Sequence, residues 1–107
     1  GAVGDAQTVK LLNNALFGAH VALVRQIEQS AIALAMDPTL VLSALSECSA
    51  NSYAVRVAAA IGSADALVEG ARKYIEKDVA VCAEVAAELG ADLGSILTVA
   101  QEIGRTW

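Results

Sequence analysis

Lys10 and Asn14 stand four residues apart in Gly1-Ala-Val-Gly4-Asp5-Ala6-Gln7-Thr-Val9-Lys10-Leu11-Leu12-Asn13-Asn14, which reads as a glycine-containing loop opening a long apolar helix. On a helix of about 3.6 residues per turn, positions i and i+4 stack on one face, so this amine and amide can reach one small molecule together. Val9, Leu11 and Leu12 flank the lysine with aliphatic side chains. Such a setting lowers a lysine pKa by desolvation and suits the amine to acid/base work. The same pair also describes ordinary solvated helix surface, and spacing alone does not choose between the two.

Further along, Arg72, Lys73, Glu76, Lys77 and Asp78 lie close in sequence, a cluster that on most helices simply meets water. His20 is the single histidine; it has no acidic motif beside it and falls away from Lys10 on the helix surface, so it reads as a packing residue. Cys48 and Cys82 lack zinc-ligand spacing, and with one histidine no metal site can be assembled from soft ligands. Both cysteines read as small reduced hydrophobes in helix packing. For Ser49, Asn51 and Ser52, capping of the next helix accounts for the hydroxyls and the amide.

Helices must position these groups, because strand-like alternation is absent throughout. The pattern predicts an all-α fold in which one long N-terminal helix packs with about four shorter ones. The first helix is expected from about Asp5, its N-cap, to Met36, with no proline and no glycine except Gly18. Asp37-Pro38 starts a second helix to about Glu47, and Asn51-Ser52 caps a third that runs through Ile61 and stops at Gly62. Ser63 and Asp65 open a fourth that passes Gly70 and reaches Leu89, with Gly90 as its stop; the last spans Asp92 to Ile103. One face of the first helix carries Leu12, Leu16, Ala19, Leu23 and Ile27, yet the opposite face has Phe17, Val21 and Val24. A helix apolar on nearly all sides is covered on nearly all sides, so a second subunit or a further domain is expected against it.

Composition agrees. A chain of 107 residues can bury one core, and 56% hydrophobic residues with only 4% aromatics and one proline suit close-packed helices better than a β-sandwich. The net charge of −5, with seven basic residues scattered and no basic run, argues against nucleic acid as a partner. No apolar stretch approaches membrane-spanning length and no signal segment opens the chain. A soluble cytoplasmic protein is the expectation.

Gly1-x-x-Gly4 followed by Gln7, Lys10 and Asn14, then Met36-Asp37-Pro38, Ser49-Ala50-Asn51-Ser52-Tyr53 and Lys77-Asp78-Val79, resembles in order and separation the C-terminal helical domain of the β-hydroxyacid dehydrogenases. That family includes 3-hydroxyisobutyrate dehydrogenase, tartronate semialdehyde reductase and, more distantly, 6-phosphogluconate dehydrogenase. The resemblance implies that Lys10 is the general acid/base for hydride transfer between a nicotinamide cofactor and a small 3-hydroxy acid. It further implies that Asn14 binds the substrate and holds the lysine in line. Lys77 would approach the cofactor across an interdomain cleft, with Asp78 orienting Lys77 or bridging to a neighbouring helix. Two positions depart from the family pattern: Ala6 replaces the third glycine of the loop, and Gly94 stands where the family often has proline.

No strand followed by Gly-x-Gly-x-x-Gly occurs in the chain. Residues 1–107 are therefore expected to be the helical substrate and dimerisation half of a two-domain enzyme. NAD or NADP would be held mainly by an N-terminal dinucleotide-binding domain, and the isolated chain would be inactive. A competing reading is a non-catalytic helical oligomerisation module that retains these motifs by descent. The first reading depends on Lys10, the second on the apolar faces; a homo-oligomer is expected under either.

Overall fold

An unbroken run of helix-compatible residues carries the first helix, α1, over Ala2–Ala33. It is followed by α2 (Pro38–Leu45), α3 (Tyr53–Ile61), α4 (Ala64–Leu89), α5 (Ser95–Gln101) and a closing 3-10 turn, Glu102–Gly104. The computed structural model describes residues 2–104, with side chains from residue 4 onward. There is no strand among the described residues, and the fold is all-α with α1 as its long member. The molecule measures 48 × 27 × 22 Å, so α1 sets its length.

Local signals explain most of the ends. Asp37 accepts a hydrogen bond from the Thr39 N–H at 3.0 Å with Pro38 in the first turn of α2. Ser52 and Ser63 accept from the Val55 and Ala66 N–H groups at the starts of α3 and α4. Gly62 and Gly90 close α3 and α4 in the left-handed region, at φ 89° and 65°.

Three boundaries differ from expectation. Gly4 and Asp5 lie inside α1, so Asp5 is a first-turn acid facing the positive end of the helix dipole and not its N-cap. Gly4 is helical because nothing there demands positive φ, and Thr8 Oγ1 donates back to its carbonyl at 2.9 Å; Gly1 lies outside the described residues. At the other end α1 stops at Ala33, short of Met36. Ala35 adopts φ 60°, the Ala35 N–H donates to Ile32 O at 3.0 Å and the Met36 N–H to Ala31 O at 2.8 Å, a left-handed closure without the customary glycine. Finally, α5 begins at Ser95 and not at Asp92. Gly94 has φ 63° and cannot continue a right-handed helix, and the Asp92 carboxylate holds the preceding turn by accepting from the Gly94 N–H at 2.7 Å.

α1 is the spine: α4, α5 and the 3-10 turn pack along it, while α2 and α3 pack at its C-terminal part. Small residues set how closely they approach. Ala15, Ala19 and Ala22 are buried on α1. At Gly18 an added Cβ would sit 3.1 Å from both Ile75 Cγ2 and Val79 Cγ2 and 3.4 Å from Ala100 Cβ, so α4 and α5 are seated against bare backbone. Around this contact Val21, Leu42, Val68 and Ile103 are fully buried, each contributing roughly 1.5–3 kcal/mol from lost apolar exposure.

Two polar side chains of α1 tie the bundle together. Arg25 is 1% exposed and donates to the Glu102 carbonyl at 3.1 Å, which holds the 3-10 turn against α1. Glu28 crosses to the start of α4, where its carboxylate accepts from the Ala64 N–H, from the Asp65 N–H at 3.1 Å and from Ser63 Oγ at 3.4 Å. An acid at that position satisfies orphan N–H donors and meets the positive end of the helix dipole. On the side of α1 away from α4, Leu12, Leu16, Leu23 and Ile27 remain 47%, 45%, 49% and 42% exposed. The chain's own helices do not cover the full apolar circumference of α1.

Candidate functional site

Two stripes of side chains, one on α1 and one on α4, bound a groove of about 340 Å³. Gln7, Lys10, Leu11 and Asn14 follow the i, i+3, i+4, i+7 rhythm of one helix face. Asp78, Val81 and Val85 do the same on α4. The groove thus has an amine, two amides and a carboxylate over an aliphatic floor.

The sequence-expected residues are distributed unevenly over this geometry. Lys10 and Asn14 share the groove, as their spacing on one helix requires. Lys77 does not line it; Asp78 does. Adjacent residues on a helix point about 100° apart, so the pair Lys77-Asp78 divides between the open surface, where Lys77 is exposed, and the groove, where Asp78 is half-buried. The enclosure by Val9, Leu11 and Leu12 expected around Lys10 is not formed within this chain. Lys10 is exposed, Val9 and Leu12 are exposed, and only Leu11 turns inward enough to be half-buried. Lys10 and Asp78 are not ion-paired; the one salt bridge among the described residues is Arg72 to Glu69 at 3.0 Å.

His20 lies on the other side of α1, half-buried at the junction of two further grooves that it lines together with Asn51 and Ser52. It is remote from the Lys10 groove in its lining. Ser52 is the N-cap of α3. Cys48 is exposed, with its Sγ donating to the Ala44 carbonyl at 3.2 Å, whereas Cys82 is buried in α4 and burial pushes its thiol pKa up. The strongest electrostatic perturbation of a cation is at Arg25, whose pKa is lowered first by burial and then by the like charge of Arg72. That places it in the packing of the bundle and not in the groove. Among the described residues no group of three or more His, Cys, Asp or Glu side chains could hold a metal ion, and no helix is long and apolar enough to cross a membrane.

The sequence marks Gln7 only as part of the family motif, with no role of its own, and gives Asp78 only a supporting part. The signal was present in the pattern: Asp78, Val81 and Val85 repeat the α4 stripe that faces α1, as do the buried neighbours Val79, Cys82 and Ala86 one position on. Glu28 carried no sequence signal of its own, because its partners lie 35 to 37 residues away.

Helix N-termini are the natural seats for a pyrophosphate. Those of α2, α3 and α4 are occupied by Asp37, Ser52 and Ser63 with Glu28. None of the N-terminal turns of α2, α3, α4 or α5 lines the groove between α1 and α4. The family model described as "NAD-binding of NADP-dependent 3-hydroxyisobutyrate dehydrogenase" matches residues 4–106. Comparison with the curated proteins and with the solved structures gave no match.

Proposed function

Since the chain belongs to this family of NAD(P)-dependent hydroxyacid dehydrogenases, we propose that it supplies the catalytic lysine and the substrate-side contacts of such an enzyme, acting on a small 3-hydroxy acid. The observation that carries the proposal is the convergence of Lys10, Asn14 and Asp78 on one groove between α1 and α4. In the reducing direction the Lys10 ammonium gives its proton to the substrate carbonyl oxygen as negative charge develops there; in the oxidising direction the neutral amine takes the hydroxyl proton. A bound nicotinamide cofactor supplies or accepts the hydride at the adjacent carbon. Asn14, one turn on, donates its amide N–H to a substrate oxygen and fixes the distance to the amine. Asp78 adds a carboxylate to the opposite wall of the groove.

The family description attaches NAD binding to the matched segment. With the helix N-termini of α2, α3 and α4 filled by the chain's own acids and hydroxyls, we place in this chain only the contacts to the nicotinamide end, including Lys77 reaching from the exposed face of α4. The pyrophosphate belongs to a separate N-terminal dinucleotide-binding domain. We assign the protein to the cytoplasm, where a thiol as exposed as Cys48 stays reduced.

The test uses the enzyme with its dinucleotide-binding domain. Lys10→Ala is expected to lower turnover about 10²–10⁴-fold while leaving cofactor affinity nearly unchanged. Lys10→Arg fails almost as badly, because guanidinium keeps its proton at any working pH. Near wild-type turnover in Lys10→Ala would remove the catalytic assignment. The second reading, a module for assembly alone, would then take precedence; the half-exposed Leu12, Leu16, Leu23 and Ile27 favour it.

A further inference from the structure

On the side of α1 away from Lys10, two grooves of about 430 and 580 Å³ meet at His20, Asn51 and Ser52, the residues that line both. From this polar junction the smaller groove runs along α1 past Leu23 and Val24 to Ile27, with Leu45 and Val55 across from them. The stretch from His20 to Ile27 is about 10 Å of helix. Val24 and Val55 are buried and Leu45 is half-buried, whereas Leu23 and Ile27 keep 49% and 42% exposure. The groove therefore has a closed floor and an open rim.

Its chemistry is one-ended. Beyond the junction the walls are aliphatic and hold no aromatic ring, with exposed Gln26 as the one further polar residue. Such walls suit an alkyl chain better than a planar group, which gains from a stacking face. At the junction the imidazole, the amide and the hydroxyl each offer an N–H or O–H donor; Ser52 Oγ accepts from the Val55 N–H at 3.1 Å and its own O–H remains to donate. Neither groove is lined by Asp or Glu, although the chain carries twelve of them. Donors gathered clear of acids are complementary to a carboxylate, which only accepts hydrogen bonds. We propose that this groove binds an aliphatic monocarboxylate of medium chain length, its carboxylate on His20, Asn51 and Ser52 and its chain laid along Leu23, Val24 and Ile27.

Size sets the chain length. At roughly 30 Å³ for a water-sized group, a groove of 430 Å³ takes about a dozen heavy atoms, and octanoate fits both that number and the 10 Å run along α1. Shorter acids leave the Ile27 end empty. The site shares no lining residue with the groove that holds Lys10 and Asp78, so it does not depend on the role given to Lys10, and the kinetic test above and the one below fail independently.

The test is titration of octanoate into the 107-residue chain, followed by calorimetry and by methyl NMR. Saturable binding is expected, with the methyl resonances of Val24, Leu45 and Val55 moving and those of Leu11, Val81 and Val85 staying in place. Affinity should rise about fourfold for each methylene from butanoate to octanoate, the gain from burying one CH₂. His20→Ala should weaken octanoate about tenfold by removing a charge-assisted hydrogen bond while leaving 1-octanol nearly unchanged. Ile27→Glu sets a carboxylate on the half-exposed rim and should also weaken octanoate at least tenfold, with the helical circular dichroism kept. Lys10→Ala should bind octanoate as the wild type does. The proposal is overturned by an absence of saturable binding up to millimolar octanoate, as when another protein surface fills the groove. Loss of binding in Lys10→Ala, which would put the acid in the other groove, or an equal effect of His20→Ala on octanoate and 1-octanol would overturn it as well.

Discussion

Residues 4–14 of α1 are exposed apart from half-buried Leu11 and Asn14, whereas residues 15–28 of the same helix bury Ala15, Gly18, Ala19, Val21, Ala22, Val24 and Arg25. The first half carries Lys10 and Asn14 and little packing; the second carries the packing and the cross-ties to α4 and the 3-10 turn. The difference teaches how a single helix can hold an amine in an open groove without a core around it. Helical hydrogen bonding transmits the rigidity of the clamped half into the projecting half, so Lys10 and Asn14 keep their mutual geometry while remaining accessible.

Substitutions can break that division or sharpen it. The largest effect is expected at Gly18, where Leu would drive side-chain atoms into Ile75, Val79 and Ala100, neighbours an added Cβ already meets at 3.1–3.4 Å. Gly18→Leu should cost about 3 kcal/mol, the upper end of what overpacking typically costs and a large part of the 5–15 kcal/mol typical of a domain, and urea denaturation would measure it. A loss below about 1 kcal/mol would mean that α4 and α5 are free to shift away from α1. Next comes the tie to α4: Glu28→Ala removes the acceptor of the Ala64 and Asp65 N–H groups and should cost about 1–2 kcal/mol. Hydrogen exchange at these two amides should accelerate first.

A gain is expected at the far end of α1. Ala35 sits in the left-handed region at φ 60°, which costs an L-residue about 1–2 kcal/mol that glycine avoids. Against the extra unfolded-chain entropy of glycine, about 0.4–1 kcal/mol, Ala35→Gly should stabilise by about 0.8 kcal/mol at the centre of these ranges and by no more than about 1.6 kcal/mol. No gain in thermal midpoint would argue against this closure of the helix. The smallest effect sharpens the comparison most. Lys10→Ala and Asn14→Ala should each change stability by less than about 0.5 kcal/mol, as exposed or half-exposed positions do, whereas the proposed catalytic role predicts that Lys10→Ala removes most turnover in the whole enzyme. A destabilisation of 2 kcal/mol at Lys10 would instead make it a structural residue.

Much of this arrangement is legible in the residues themselves. The caps at Asp37, Ser52 and Ser63 and the stops at Gly62 and Gly90 are local chemistry, and each signal acts on backbone groups within a few residues of itself. The pairing of Lys10 with Asn14 is equally local, being fixed by the pitch of one helix. Expectation and structure part where a decision is made across the chain or without a marker residue. Ala35 closes α1 with no glycine to announce it, and Gly94 delays α5 because a residue at φ 63° cannot join the helix. At the groove, the sequence offers Lys77 and Asp78 side by side, and only the rotation of α4 against α1 selects Asp78.

What the amino-acid sequence determined by itself is the all-α class, most helix limits, the family and the common face of Lys10 and Asn14, because these follow from periodicity, capping and motif order over short separations. The tertiary structure alone decided which side of α1 meets α4, that Gly18 is the point of closest approach, that Glu28 caps a helix 35 to 37 residues away and that the apolar seam through Leu16, Leu23 and Ile27 is left open. Those outcomes depend on how two helices rotate and slide to exclude water between them, and the energy of that fit belongs to pairs of surfaces that no local stretch of chain contains.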